Sequence, residues 1–168
     1  MRPEIEDVPK FYRPYLEAVK GDDIVDILSK AKSTTLELLS GLTEENGNYA
    51  YAEGKWTIKE LLQHIIDSEV VFGYRALWIM RGAKGDLLGF DQDDWVIEAP
   101  VQDIDMNALI DKYSKTRDWV ISLFTNATDA QLLRIGTANG YPIKALILPY
   151  LIAGHNLHHI KIIKERYL

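Results

Sequence analysis

The chain contains no cysteine. Disulfides, thiolate metal sites and a cysteine nucleophile are therefore excluded, and any metal must rest on nitrogen and oxygen ligands. Positive charge is in deficit: 19 lysines and arginines face 25 aspartates and glutamates, for a formal net charge of -6. Such a balance lacks the basic excess that attraction to phosphate backbones requires, so nucleic acid is not an expected partner. Long apolar runs are also missing. The longest, Ala145 to Ala153, is too short to span a bilayer and contains Pro149. The opening MRPEIEDVPKFYRPY is broken by prolines and acids where a secretory signal would be apolar. A cytoplasmic chain with no membrane contact is the expectation. No internal repeat and no strand pattern of period two is visible.

What is present reads as helix. With 168 residues, 47% of them hydrophobic, one domain spanning residues 1–168 has enough apolar side chain for a core. Residues 1–21 carry Pro3, Pro9 and Pro14 among Phe11, Tyr12 and Tyr15, which predicts an N-terminal arm packing its aromatics on the body. From Asp22 to Leu42, Ile24, Ile27, Leu28, Ala31, Leu38 and Leu42 recur at helical spacing. A second helix starts sharply at Thr57, because Thr57-Ile58-Lys59-Glu60 is a capping box, and runs to Arg81 ahead of Gly82. Residues 82–104 form a crossover too long for a tight turn, with the acidic run Asp91-Gln92-Asp93-Asp94 in it. A third helix is expected over Asp105 to Asn126. The cluster Gly136-Thr137-Ala138-Asn139-Gly140 is a turn, Pro142 suits the first position of a last helix, and Pro149 either kinks that helix or marks its start. The fold class is all-α, a four-helix bundle with one long crossover.

Three of the four histidines lie within His155-Asn156-Leu157-His158-His159. Leu148, Ile152, His155, His159 and Ile162 follow the spacing of an inward seam, which places two imidazoles in the core. An unpartnered buried polar group costs roughly 1–3 kcal/mol, so such a pair asks for something to bind. Residues four apart stand one above the other and can reach one ion. His158 lies about 100° round the helix and leaves the seam; His155 with His158 is the alternative pairing. The fourth histidine, His64, sits in a row with Thr57, Leu61, Ser68, Val71, Arg75 and Trp78, with small Ser68 leaving room beside it. If helices two and four face each other, His64, His155 and His159 converge. Imidazole's ordinary pKa of about 6.5 then sets an expectation that acid releases the ion between roughly pH 6 and 4. Glu69 lies on the most apolar stripe of the second helix, where a carboxylate needs a partner, and a structural ion pair is the bland reading. Arg75 offers a cation for a substrate anion or a cap for the acidic loop. Asp91 could turn over the pocket, or be simply solvated. Trp56, Trp78, Trp95 and Trp119 suit core or pocket wall.

Lys55-Trp56-Thr57-Ile58-Lys59-Glu60-Leu61-Leu62-Gln63-His64, Phe90-Asp91-Gln92-Asp93, Gly136-Thr137-Ala138-Asn139-Gly140 and Gly154-His155-Asn156-Leu157-His158-His159 together resemble the DinB-like superfamily, including its YfiT-type metal-dependent hydrolases, over residues 22–168. The resemblance implies a four-helix bundle with a metal triad at His64, His155 and His159. It also implies hydrolysis, or transfer of a low-molecular-weight thiol such as bacillithiol, mycothiol or glutathione to a small electrophile. Glu69, Arg75 and Asp91 are then candidate orienting or substrate-contacting groups. Zn²⁺ or Ni²⁺ suits imidazole ligands best, ahead of manganese or iron. A non-catalytic bundle that binds a metal or small ligand is the alternative. The aromatic surplus of the arm, and a fourth helix apolar nearly all round, further predict a homodimer.

Overall fold

Three of the four long helices begin where the sequence places a capping side chain. Asp23, Thr57 and Asp105 each accept from backbone N–H groups of the turn that follows, and Thr57 closes a full capping box with Glu60. The computed structural model describes all 168 residues. In chain order it contains α1 (Arg13–Ala18), α2 (Ile24–Leu39), α3 (Glu44–Gly47), α4 (Ile58–Met80), β1 (Asp86–Leu87), α5 (Gln92–Glu98), α6 (Met106–Phe124), α7 (Asp129–Leu132), β2 (Ile135–Ala138), β3 (Tyr141–Lys144) and α8 (Ile147–Arg166).

Helices α2, α4, α6 and α8 form the bundle. Both α4 and α2 pack on α6 and on α8, so the ring order is α2, α6, α4, α8, and α4 and α8 are neighbours. The arm lays α1 along α8, where Leu16 and Val19 join the core. The two helices meet at Gly154, because a Cβ there would stand 2.1 Å from the Tyr15 carbonyl oxygen. The apolar core is divided in two. One cluster holds Leu28, Phe72, Ala76, Val120, Leu148 and Ile152, the other Leu39, Ile58, Leu62, Ile65, Leu109 and Ile160. Between them on the four helices lies a layer of buried polar side chains: Thr35, Glu69, Arg117, His155 and Asn156.

Three expectations change. A small sheet exists, in the order β1-β2-β3, with β1 parallel and β3 antiparallel to β2. Its strands are two or four residues long, too short to show a period-two signal. The expected turn is the tip of the β2–β3 hairpin, where Asn139 and Gly140 both take positive φ, at 52° and 75°. Pro142 consequently lies in the edge strand β3, opposite Thr137, and does not open a helix. Pro149 stands in the first turn of α8, as the second of its two expected placements has it, and there its missing N–H removes no intrahelical bond. The 82–104 crossover is occupied by β1 and α5.

Candidate metal centre

Because α4 and α8 are neighbours, His64 meets the His155–His159 pair. The His155 Nε2 atom lies 3.0 Å from His64 Nε2 and 3.0 Å from His159 Nε2, and one ring nitrogen from each residue falls within 4.8 Å of the others. Only 3%, 6% and 9% of His64, His155 and His159 is exposed, so water cannot solvate this cluster freely. One Nε2 facing two others can donate a single proton, so mutual hydrogen bonding leaves at least one pair of nitrogens with nothing between them. A shared cation resolves that. Tetrahedral coordination at about 2.0–2.1 Å separates ligand nitrogens by about 3.3 Å, close to the 3.0 Å at which His155 stands from each of the other two. These residues fit a divalent ion.

Burial also keeps the imidazoles neutral. Desolvation brings His64 down to about 4. For His159, desolvation and then the neighbouring His64 and His158 bring it to about 3. Desolvation, followed by the other three histidines, holds His155 well below its usual range. Their lone pairs are therefore free at neutral pH. Trp56 stands against His64 and Tyr15 edge-on against His155, at centroid separations of 5.0 and 5.5 Å. His158 is exposed, as its place off the seam predicts.

A cavity of about 740 Å³ opens beside the cluster, lined by His64, His155, Ser68, Phe72, Tyr12 and Tyr15 and reaching Arg75, Leu88–Asp93 and Asn139. Arg75 thus lies on the cavity wall, where it donates to the Leu88 carbonyl at 2.7 Å. Asp91 also lines the cavity, but its Oδ1 caps α5 by accepting from the backbone of Asp93 and Asp94. Glu69 does not reach the cavity. It is paired with Arg117, whose Nε donates to Glu69 Oε2 at 2.8 Å and whose Nη2 donates to Oε1. Glu69 is therefore a member of a buried ion pair, as the bland expectation has it. Burial pushes its carboxyl upward against the pull of Arg117. Arg117 also donates to the Leu28 carbonyl and to Asn156 Oδ1, which accepts from Tyr113 as well. Sequence reasoning did not single out Arg117 or Asn156. The signal was present: Tyr113, Arg117, Val120 and Phe124 form one buried row of α6.

The profile of the DinB superfamily matches residues 27–163. A protein of Oceanobacillus iheyensis named "Putative metal-dependent hydrolase" is 27% identical over 153 residues, covering 88% of this chain and 87% of its own. A protein of Geobacillus thermodenitrificans with the same name is 22% identical over 125 residues, covering 72% and 69%. Among solved structures, YfiT from Bacillus subtilis, described as a probable metal-dependent hydrolase with an unusual four-helix bundle topology, superposes with a TM-score of 0.74 at 17% identity, over 98% of this chain and 90% of its own. A mycothiol-dependent maleylpyruvate isomerase superposes with a TM-score of 0.69 at 13% identity, over 94% of this chain and 62% of its own. At these identities the two structures speak for the fold.

Proposed function

The chain belongs to the DinB superfamily, and we propose that it is an enzyme that uses one divalent metal ion, Zn²⁺ or Ni²⁺, held by His64, His155 and His159, for hydrolysis or thiol transfer on a small electrophile. The observation that carries this reading is the meeting of three neutral, buried imidazoles, two of which, His64 and His155, line a cavity large enough for a small molecule. An ion there supplies Lewis acidity, which lowers the pKa of a water or thiol and polarises the group it attacks. His64 and His155, which line the cavity, would hold the ion on that side, and His159 would hold it from the next turn of α8. Tyr15 and Phe72 shield His155 from bulk water. Tyr12, Ser68 and Asn139 add polar atoms with which a bound molecule can be oriented, and Asp91 adds a carboxylate at the rim. The relatives named for metal-dependent hydrolysis support water as nucleophile, and the mycothiol-dependent fold neighbour supports a thiol.

A second reading, a bundle that binds metal and ligand without turnover, draws on one observation. The acids lining the cavity, Asp91 and Asp93, are exposed, and Asp91 is engaged as a helix cap. Zinc-loaded protein assayed with ester and amide panels, and with thiols plus electrophiles, separates the two: turnover supports the enzyme, and binding alone supports the second reading. For the ligand set, His64→Ala, His155→Ala and His159→Ala should each cut metal content at least tenfold after dialysis, and His158→Ala should leave it near wild type. The triad is wrong if supplemented wild-type protein retains no metal, or if His158→Ala is the most damaging change.

A further inference from the structure

Arg75 is a buried cation without a counter-charge. It is 5% exposed, and none of the chain's ion pairs includes it. Its only hydrogen bond to the backbone is the one to Leu88, its guanidinium carbon stands 5.7 Å from the centre of the Phe72 ring, and the Tyr12 hydroxyl lies beside it. Of the two acids that line the same cavity, Asp91 is spent on capping α5, and both are solvated at the rim. An isolated charge taken out of water is costly unless a partner of opposite sign is supplied, and the face that remains open to one is the cavity wall. The guanidinium fork matches a carboxylate in two parallel hydrogen bonds.

We propose that Arg75 anchors the carboxylate of a small substrate whose reacting end lies at the histidine cluster. The placement of the reacting end rests on the metal-centre reading above; the carboxylate subsite itself does not. Arg75 follows His64 by eleven residues on α4, a rise of roughly 16 Å, and its side chain leans back toward the helix N-terminus. The carboxylate and the reacting atom are therefore separated by several bonds. The same cavity is lined by the rings of Phe72, Tyr12 and Tyr15 with the Ser68 hydroxyl among them, and those rings suit an apolar or aromatic spacer. The ligand class is thus a carboxylic acid with a short hydrocarbon or aromatic spacer before its electrophilic group. Tyr12, whose hydroxyl burial keeps protonated against the pull of Arg75, can donate to the same carboxylate.

The probes are hexanoate and its neutral isostere hexanamide, titrated calorimetrically into the full-length chain, both chelator-treated and zinc-loaded. In chelator-treated protein the carboxylate should bind at least tenfold more tightly than the amide. Arg75→Gln should erase that preference, Arg75→Lys should keep part of it, and His158→Ala, at an exposed position outside the cavity, should leave it unchanged. Equal binding of acid and amide by the wild type, or a preference that survives in Arg75→Gln, overturns the subsite. If Arg75→Gln fails to fold, the wild-type comparison and Arg75→Lys decide: a Lys variant with the full wild-type preference overturns the two-pronged contact. A parallel zinc titration keeps the readings apart. Zinc binding without an Arg75-dependent preference sinks the carboxylate subsite alone, and the preference without zinc binding sinks the metal centre alone.

Discussion

At the scale of single residues, the three histidines are held in the form a metal needs before any metal arrives. Folding depresses their pKa values, so between the unfolded value of about 6.5 and the folded values the unfolded chain binds more protons than the native one. Stability of the metal-free protein is then full above about pH 6.5 and is lost as pH falls toward about 4 for His64 and about 3 for His159. Protons compete for the folded site itself only near those lower values. The extra stability from bound zinc should thus persist to about pH 4, below the window that ordinary imidazole implies. Melting curves of zinc-loaded and chelated protein from pH 7.5 to 3.5 test both halves: the chelated form should soften from pH 6.5 downward, with the gap between the two closing only below about pH 4.5. A gap that vanishes already at pH 6 would mean that burial does not protect the imidazoles. The other buried charges act differently. Removing Arg117 by substitution with Met strands the Glu69 carboxylate, and urea unfolding should show a loss of about 3–5 kcal/mol, much of it recovered when Glu69→Leu is added. A loss under about 1 kcal/mol would contradict the ion pair as a core element.

At the scale of elements, the site depends on how closely the arm lies on α8. Gly154 is the crossing point, and it adjoins His155, whose ring Tyr15 covers. Gly154→Ala would drive a methyl group into the Tyr15 backbone and lift α1. The expected cost is about 1–3 kcal/mol, read in thermal melts, with faster proteolysis of residues 1–21 and a weaker zinc affinity. An unchanged melting temperature would show that the arm does not bear on the site. The long helices and the histidine seam were legible in the sequence because both are periodic over many turns, and because Thr57 and Glu60 mark a start unambiguously. The β2–β3 hairpin was not, since four-residue strands carry no period and Pro142 mimics a helix opening. Arg117 was overlooked for a related reason. It sits between Thr116 and Asp118 among solvated charges, and only its register with Tyr113 and Val120 betrays that it faces inward. The wall formed by Leu88, Phe90 and Asn139 depends on the pairing of β1 with β2, a contact between segments about fifty residues apart that no local pattern encodes.

At the scale of the whole molecule, the apolar surplus is distributed otherwise than composition suggests. Helix α8 is apolar nearly all round, but α1, α2 and α4 cover it, and Tyr12 and Tyr15 of the arm pack on the core. These side chains are not free for a partner, although Phe11 of the arm stays exposed by 48%. Exposed apolar side chains also gather on the outer face of α4, where Val70 and Tyr74 stand one turn apart, exposed by 45% and 48%. Trp119 of α6 continues that face, because its ring lies where a side chain at Gly73 would be, and Trp78 packs against Tyr74. A patch of this kind on a small bundle favours pairing, and a two-fold arrangement would lay the α4–α6 face of one copy on its equivalent. We propose this face of α4 and α6, rather than α8, as the surface on which two copies would pair. Static light scattering at micromolar concentration should give twice the chain mass, and Tyr74→Glu should return it to the monomer mass without lowering zinc content, because that side chain points away from the histidines. Wild-type protein scattering at the monomer mass would remove the dimer, and a dimer unaffected by Tyr74→Glu would place its interface elsewhere.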